Sequence, residues 1–169
     1  PLGDGVLVLT IGENGDPRVE STVPDGFFKV WNESSRSEFP ERVHLVWEVV
    51  RQTKGELPKH YLRRVTYELL PVGGTWQPKY QSKTATHRCF YTEAEWPLTA
   101  GGVYDNGTGM PLGVDELPLD KARLIDIEHP FEPGRLVEAK QVPLPIDFIP
   151  VVHVKHSLGM WGRSAFARI

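Results

Sequence analysis

Through the middle of the chain, hydrophobic positions fall on every second residue. From Arg42 to Arg51 the odd positions hold Val43, Leu45, Trp47 and Val49, with His44 and Glu48 on the opposite face. From Tyr61 to Leu70 they hold Tyr61, Val65, Tyr67 and Leu69, with Arg64, Thr66 and Glu68 opposite. A period of two, built from β-branched and aromatic side chains, marks strands that bury one face. Residues 52–58 between them have the length, the Gly and the Pro of a hairpin connector. The pair therefore predicts an antiparallel hairpin whose odd residues face a core.

The same reading extends along the rest of the chain. Val6 to Ile11 is an apolar run closed by Gly12-Glu13-Asn14-Gly15-Asp16-Pro17, and Arg18 to Val23 can return as its partner strand. Asn and Gly tolerate positive φ there, and proline ends the ladder. Pro24-Asp25-Gly26 predicts a further turn, and Phe27 to Trp31 a short aromatic strand. Asn32 to Pro40, with Ser34, Ser35 and Ser37, reads as a loop. Val72-Gly73-Gly74 is expected to precede a strand over Trp76 to Lys83, with Ala85 to Thr92 as the next. Thr92 is placed to cap one helical turn over Glu93 to Pro97. Gly101, Gly102, Gly107, Gly109 and Gly113 mark a loose loop, and Asp115 to Leu124 a short helix broken by Pro118. Pro130, Pro133, Pro143, Pro145 and Pro150 make the following region extended connection and edge strand, and Phe148 to Val154 a last apolar strand. The expected fold class is mainly β (α+β with minor helix): antiparallel hairpins or a meander forming a twisted sheet or partial sandwich.

Composition narrows the function classes. A chain of 169 residues, 40% hydrophobic and 24% charged, suits one globular domain with a real core. A net charge of −3 and a pI near 6.1 argue against wholesale nucleic-acid binding through a basic surface. Cys89 is the only cysteine, so no intramolecular disulfide can form. It lies in the alternating run Thr86 to Tyr91 and reads as a buried structural thiol rather than a nucleophile. No apolar run approaches the roughly 18 residues that a membrane-spanning helix needs. Pro1 is not a natural start, and Ala165 to Ile169 begin an element they do not finish. The chain is therefore expected to be a piece of a longer polypeptide, with a β-rich domain over 1–155 and a segment over 156–169 that leads elsewhere.

Candidate chemistry is sparse. There is no Gly-rich loop feeding a helix, no Cys pair, no His-Glu-x-x-His and no Gly-x-Ser-x-Gly. The 6 histidines lack ligand spacing; His153 and His156 lie three apart in a strand-forming run, which points them to opposite faces. Lys59, His60, Arg63 and Arg64 form a basic cluster that reads either as a phosphate platform near Tyr61 and Tyr67 or, as preferred here, as a solvated face paired with acids such as Glu48. Asp115, Glu116, Asp120, Asp126 and Glu128 lack the spacing of a calcium loop. No catalytic residue, metal ligand or cofactor is assigned. Of the 5 tryptophans, Trp47 is assigned to a core face, and Trp161 to contact with a further part of the protein or a neighbouring subunit.

Two stretches carry a family resemblance. Gly3-Asp4-Gly5-Val6-Leu7-Val8-Leu9 followed by Val23-Pro24-Asp25-Gly26-Phe27-Phe28 is one; Phe148-Ile149-Pro150-Val151-Val152-His153-Val154 with Trp161-Gly162-Arg163-Ser164 is the other. Tyr91-Thr92-Glu93-Ala94-Glu95-Trp96 is a weaker third. Together they resemble the portal proteins of tailed bacteriophages, in particular those of actinobacterial phages and prophages. Lys155-His156 stands where that family usually has a Pro-Asn pair. The resemblance implies the β-rich wing region of one subunit, with the chain after Val154 passing toward a helical stem. It implies a structural virion protein without an active site, working as a ring at one capsid vertex and present in the host cytoplasm during assembly. The partners it implies are other portal subunits, the capsid shell protein, the packaging terminase, head–tail adaptor proteins, and double-stranded DNA passing through the ring, with no membrane. Trp161 and Arg163 become candidate subunit-interface residues. The competing expectations are a β-sandwich carbohydrate- or receptor-binding module using Trp31 or Trp76 as stacking platforms, and a small hydrolase using paired acids.

Overall fold

The computed structural model describes residues 5–22, 24–31, 40–98, 113–124, 127–137 and 141–154. Its strands are β1 (Gly5–Ile11), β2 (Pro17–Thr22), β3 (Phe27–Val30), β4 (Arg42–Arg51), β5 (Lys59–Trp76), β6 (Ala85–Pro97), β7 (Arg123–Leu124), β8 (Ile127–His129), β9 (Glu132–Val137), β10 (Val142–Pro143) and β11 (Val151–Val154). They form a small sheet ordered β11-β1-β2, a large one ordered β10-β6-β5-β4-β3, and the β8–β9 pair. β7 and β10 share the outer edge of β6, at Ala94–Glu95 and Phe90–Tyr91 respectively. Every described pairing is antiparallel. The chain is mainly β.

The predicted hairpin is the centre of this arrangement. Arg42 pairs with Glu68, Leu45 with Val65 and Arg51 with Lys59, so the odd residues of both strands share a face. Val43, Leu45, Val65 and Tyr67 on that face are buried, together with Cys89 and Tyr91 of β6. Val6 and Val8 of the small sheet, Phe27, Phe131, Leu144 and Ile146 close over them. The small sheet thus packs on one end of the large one, a partial sandwich. Two glycines shape its loops. Gly15 turns the β1–β2 hairpin at φ +83°, and Gly26 brings its backbone so close to Val46 that a Cβ would sit 2.0 Å from the carbonyl oxygen.

Three expectations are corrected. Glu93 to Pro97 continue β6 and form no helical turn, because their backbone is paired residue by residue with Tyr61 to Val65. That ladder outweighs a single capping residue. Trp76 ends β5 rather than starting a strand, and residues 77–84 are turn and coil. Beyond Leu69, β4 no longer pairs with β5, so Pro71 and Gly73 fall on an edge with a register shift before Trp76, where a missing N–H is tolerated. Asp115 to Leu124 hold two 3-10 turns, Val114–Glu116 and Leu119–Lys121, on either side of Pro118. The loops over 32–39 and 101–112 lie outside the described residues.

Candidate functional site

The even face of the hairpin is covered around His44, Arg64 and Thr66, while Glu48 and His60 at its far end stay exposed. His44 is 1% exposed, and Arg64, Thr66 and Thr92 are buried beside it. The 113–122 segment crosses this face and is fastened at several points. Asp115 accepts from the Arg42 guanidinium at 2.7 Å and from His44 Nε2–H at 2.9 Å. His44 Nδ1 is then the acceptor for the Thr66 hydroxyl, at 2.9 Å. Arg64 donates to the Val114 carbonyl and lies over the Trp96 ring at 4.8 Å. The Trp96 indole N–H donates to the Pro118 carbonyl at 3.0 Å, while Leu117 packs with Ala94 and Trp96 in a second small core. Burial holds His44 below its ordinary pKa, with Arg64 and Arg42 adding to the shift against the pull of Asp115. For Asp115 burial works upward, but the hydrogen bonds and charges of Arg42 and His44 outweigh it and hold the carboxyl low.

On the odd face, below the main core, two buried carboxylates stand two apart on β6. Glu93 pairs with Arg63 and accepts from the Tyr91 hydroxyl at 2.6 Å. Glu95 is fully buried and takes two hydrogen bonds from Arg51, one of 2.7 Å. The guanidiniums in turn lie over aromatic rings, Arg63 over Trp47 at 5.7 Å and Arg51 over Tyr61 at 4.9 Å. A carboxylate locked to an arginine in this way is a poor general base.

A third feature is a cavity of about 240 Å³ beside the β1–β2 turn, lined by Thr10, Ile11, Gly12, Glu13, Arg18, Glu20, His129 and Pro130. His129 is 1% exposed, and its Nδ1 accepts the Phe131 N–H at 3.2 Å. Its Nε2 is buried without a hydrogen-bond partner among the described residues. No alternation or motif signals this site in the sequence, since its residues come from β1, β2 and the distant 129–130 corner.

The sequence-predicted residues are scattered by the fold. The basic cluster is divided: Lys59 pairs with Glu56 and Arg63 with Glu93 on the odd face, while on the even face His60 pairs with Glu48 and Arg64 is buried. Cys89 is fully buried, and burial pushes its thiol up to about 12. Trp47 has the predicted facing but is 39% exposed, because the small sheet does not reach that far. Trp76 donates to the His87 carbonyl and is stacked by Arg88, whereas Trp31 is 46% exposed. His153 faces β3, within 2.9 Å of the Lys29 ammonium and 5.2 Å from the Phe27 ring centre. Among the described residues no group of three His, Cys, Asp or Glu is arranged to hold a metal, and no helix is long and apolar enough to cross a membrane. Trp161, Arg163 and the whole 156–169 segment lie outside the described residues.

Of the stretches that carry the portal resemblance, the described parts Gly5 to Leu9 and Val151 to Val154 lie in one sheet, while Trp161 to Ser164 fall outside the described residues. Gly5 lies opposite Val154, Leu7 opposite Val152 and Val8 opposite Val151, so β1 and β11 are hydrogen-bonded neighbours. Tyr91 to Trp96 form the C-terminal half of β6, in the large sheet. Compared with protein-family models, with curated proteins and with solved structures, the chain matches none of them.

Proposed function

We propose that this chain is the outer, β-rich part of a portal-ring subunit: a structural virion protein, without enzymatic activity, at one capsid vertex. The observation that supports this best is the pairing of β1 with β11, which makes one sheet of two stretches far apart in sequence that both carry the resemblance. The outward face of that sheet holds Leu7, Leu9, Val19, Val152 and Val154, with Val19 64%, Val152 59% and Val154 47% exposed. Apolar side chains clustered in water suit a surface that packs on more protein. The net charge of −3 fits a position away from the DNA channel better than a DNA-gripping one. In this reading the partners are neighbouring subunits, the capsid shell, the packaging terminase and head–tail adaptors, with Trp161 and Arg163 at the subunit interface.

The full product of the gene is expected to form closed rings with a central channel in negative-stain electron microscopy; a monodisperse monomer would overturn the reading. The 169-residue chain alone is expected to be monomeric or weakly associating by light scattering. A glycan- or receptor-binding module is the second reading, favoured by the exposure of Trp31 at 46%. The Lys29 ammonium lies 5.9 Å from the centre of that indole. Binding on a glycan array that is lost in Trp31→Ala would decide for it against the ring.

A further inference from the structure

We infer that β2 is the contact through which two copies of this chain pair, edge to edge and antiparallel about a two-fold axis, with Val19 opposite the partner's Val19. The small sheet ends at β2, which pairs with β1 alone among the described strands. Residues 17–21 are all exposed. The ladder shows which backbone groups face the open edge. The Gly12 N–H donates to the Asp16 carbonyl, so the hydrogen-bonded pairs of β1 and β2 are the even-numbered ones, Thr10 with Arg18 and Val8 with Glu20. The odd-numbered Leu9 donates instead to Pro150, on the other side of β1. The N–H and C=O groups of Val19 and Ser21, with the Pro17 carbonyl, therefore point away from β1 and have no described strand beside them.

Such an edge is a template for another strand, and charge decides which strand and which register. In an antiparallel pair centred on Val19, Arg18 stands opposite the partner's Glu20, and Glu20 opposite the partner's Arg18. The registers two residues to either side are centred on Arg18 or on Glu20 and set like charges face to face, which destabilises a pair of strands. A shift of one residue sets edge-facing groups opposite groups that already bond to β1. Both charges are available. Neither Arg18 nor Glu20 forms an ion pair with a described residue. The Arg18 guanidinium lies across Gly12, and Glu20 accepts from the Thr10 hydroxyl at 3.3 Å.

The remaining positions agree with this register. The two Val19 residues exchange hydrogen bonds in both directions, and each Ser21 N–H donates to the facing Pro17 carbonyl. Proline has no N–H to return, so the new ladder ends there. Val19 is 64% exposed and lies beside Leu9, so the joined sheets carry one apolar row of Leu9, Val19, the partner's Val19 and the partner's Leu9. One strand of 6 residues offers far less than the roughly 800 Å² per partner of a standard interface, and the pairing is correspondingly weak. Neighbours in a cyclic ring have no two-fold axis between them. The inference is therefore independent of the ring reading and concerns the chain by itself.

The test is a charge exchange. Sedimentation equilibrium of the 169-residue chain is expected to show monomer and dimer with a Kd of about 0.1 to 1 mM. In NMR of a mixed labelled and unlabelled sample, the Arg18 Hα should contact the partner's Glu20 Hα, since a non-hydrogen-bonded pair brings its Cα atoms to about 4.5 Å. Arg18→Glu and Glu20→Arg, both on the exposed strand, are each expected to weaken self-association about tenfold or more, because both facing pairs turn from attraction to repulsion. Mixed in equal amounts, these two variants should bind each other within about threefold of the unaltered chain, and the double variant Arg18→Glu/Glu20→Arg should pair with itself as well. Melting temperatures are expected to change little, so a loss of pairing is not a loss of fold. No association up to about 1 mM, an intermolecular contact away from β2, undiminished pairing in the single variants, or a mixture no tighter than either variant alone would overturn the inference.

Discussion

At the scale of single residues, buried polar groups do most to distinguish this sheet from a plain hydrophobic one. His44 is neutral in the fold and its pKa lies below the ordinary 6.5, chiefly through burial. The unfolded chain therefore binds more protons, and the stability that His44 contributes is full above about pH 6.5 and lost as pH falls below it. Asp115 acts in the same direction at lower pH, its contribution being lost as pH falls below the ordinary carboxyl value of 3.8. Stability measured by urea denaturation is expected to drop between pH 7 and 5 and to drop less in His44→Gln. His129, also held low by burial, contributes the same sign in both proteins and cancels in the comparison. Equal slopes for the two proteins would show that His44 is not the titrating group. The Arg63–Glu93 pair gives a second outcome, since Glu93 is 5% exposed. Arg63→Met should cost about 2 to 3 kcal/mol by leaving a buried carboxylate with only the Tyr91 hydroxyl. Adding Glu93→Gln should recover much of that loss, because the amide carries no charge to strand.

At the scale of elements, the two faces of the large sheet are closed by different means. One takes the small sheet in a continuous apolar core; the other takes the short 113–122 segment, held by one buried leucine and a set of polar clamps. Such a segment opens more easily than the strands beneath it. Leu117→Ala is expected to cost about 2 to 3 kcal/mol. Amide exchange at Glu116 and Ala122, whose N–H groups close the two 3-10 turns, should speed up while the β4–β5 ladder stays protected. Uniform loss of protection would mean that the segment is part of one cooperative unit with the sheet. The hairpin of β4 and β5 was legible because alternation and connector both spoke for it. The covering of its even face was not, since His44, Arg64 and Thr66 are polar and read as solvent-facing until a segment some seventy residues on lies over them, with His44 and Asp115 71 positions apart.

At the scale of the whole molecule, the outward face of the small sheet is where the proposed assembly can be tested without disturbing the core. Val152 is 59% exposed, so Val152→Lys should change the stability of the isolated chain by no more than about 0.5 kcal/mol. In the full gene product the same substitution is expected to reduce ring formation in native mass spectrometry, because a charge would have to be buried at the contact. Rings of undiminished yield would exclude this face from the interface.

The sequence by itself determined the strand-rich class, the central hairpin with its core-facing odd residues, the β1–β2 turn and the burial of Cys89, because alternation and turn residues act locally. Only the tertiary structure decided that Glu93 to Pro97 stay extended, that β1 lies against β11, and that His129, Arg18 and two glutamates share one cavity. Each of those depends on backbone pairing or side-chain meeting between residues distant in the chain, and a period of two states which face a residue takes without saying what comes to cover it.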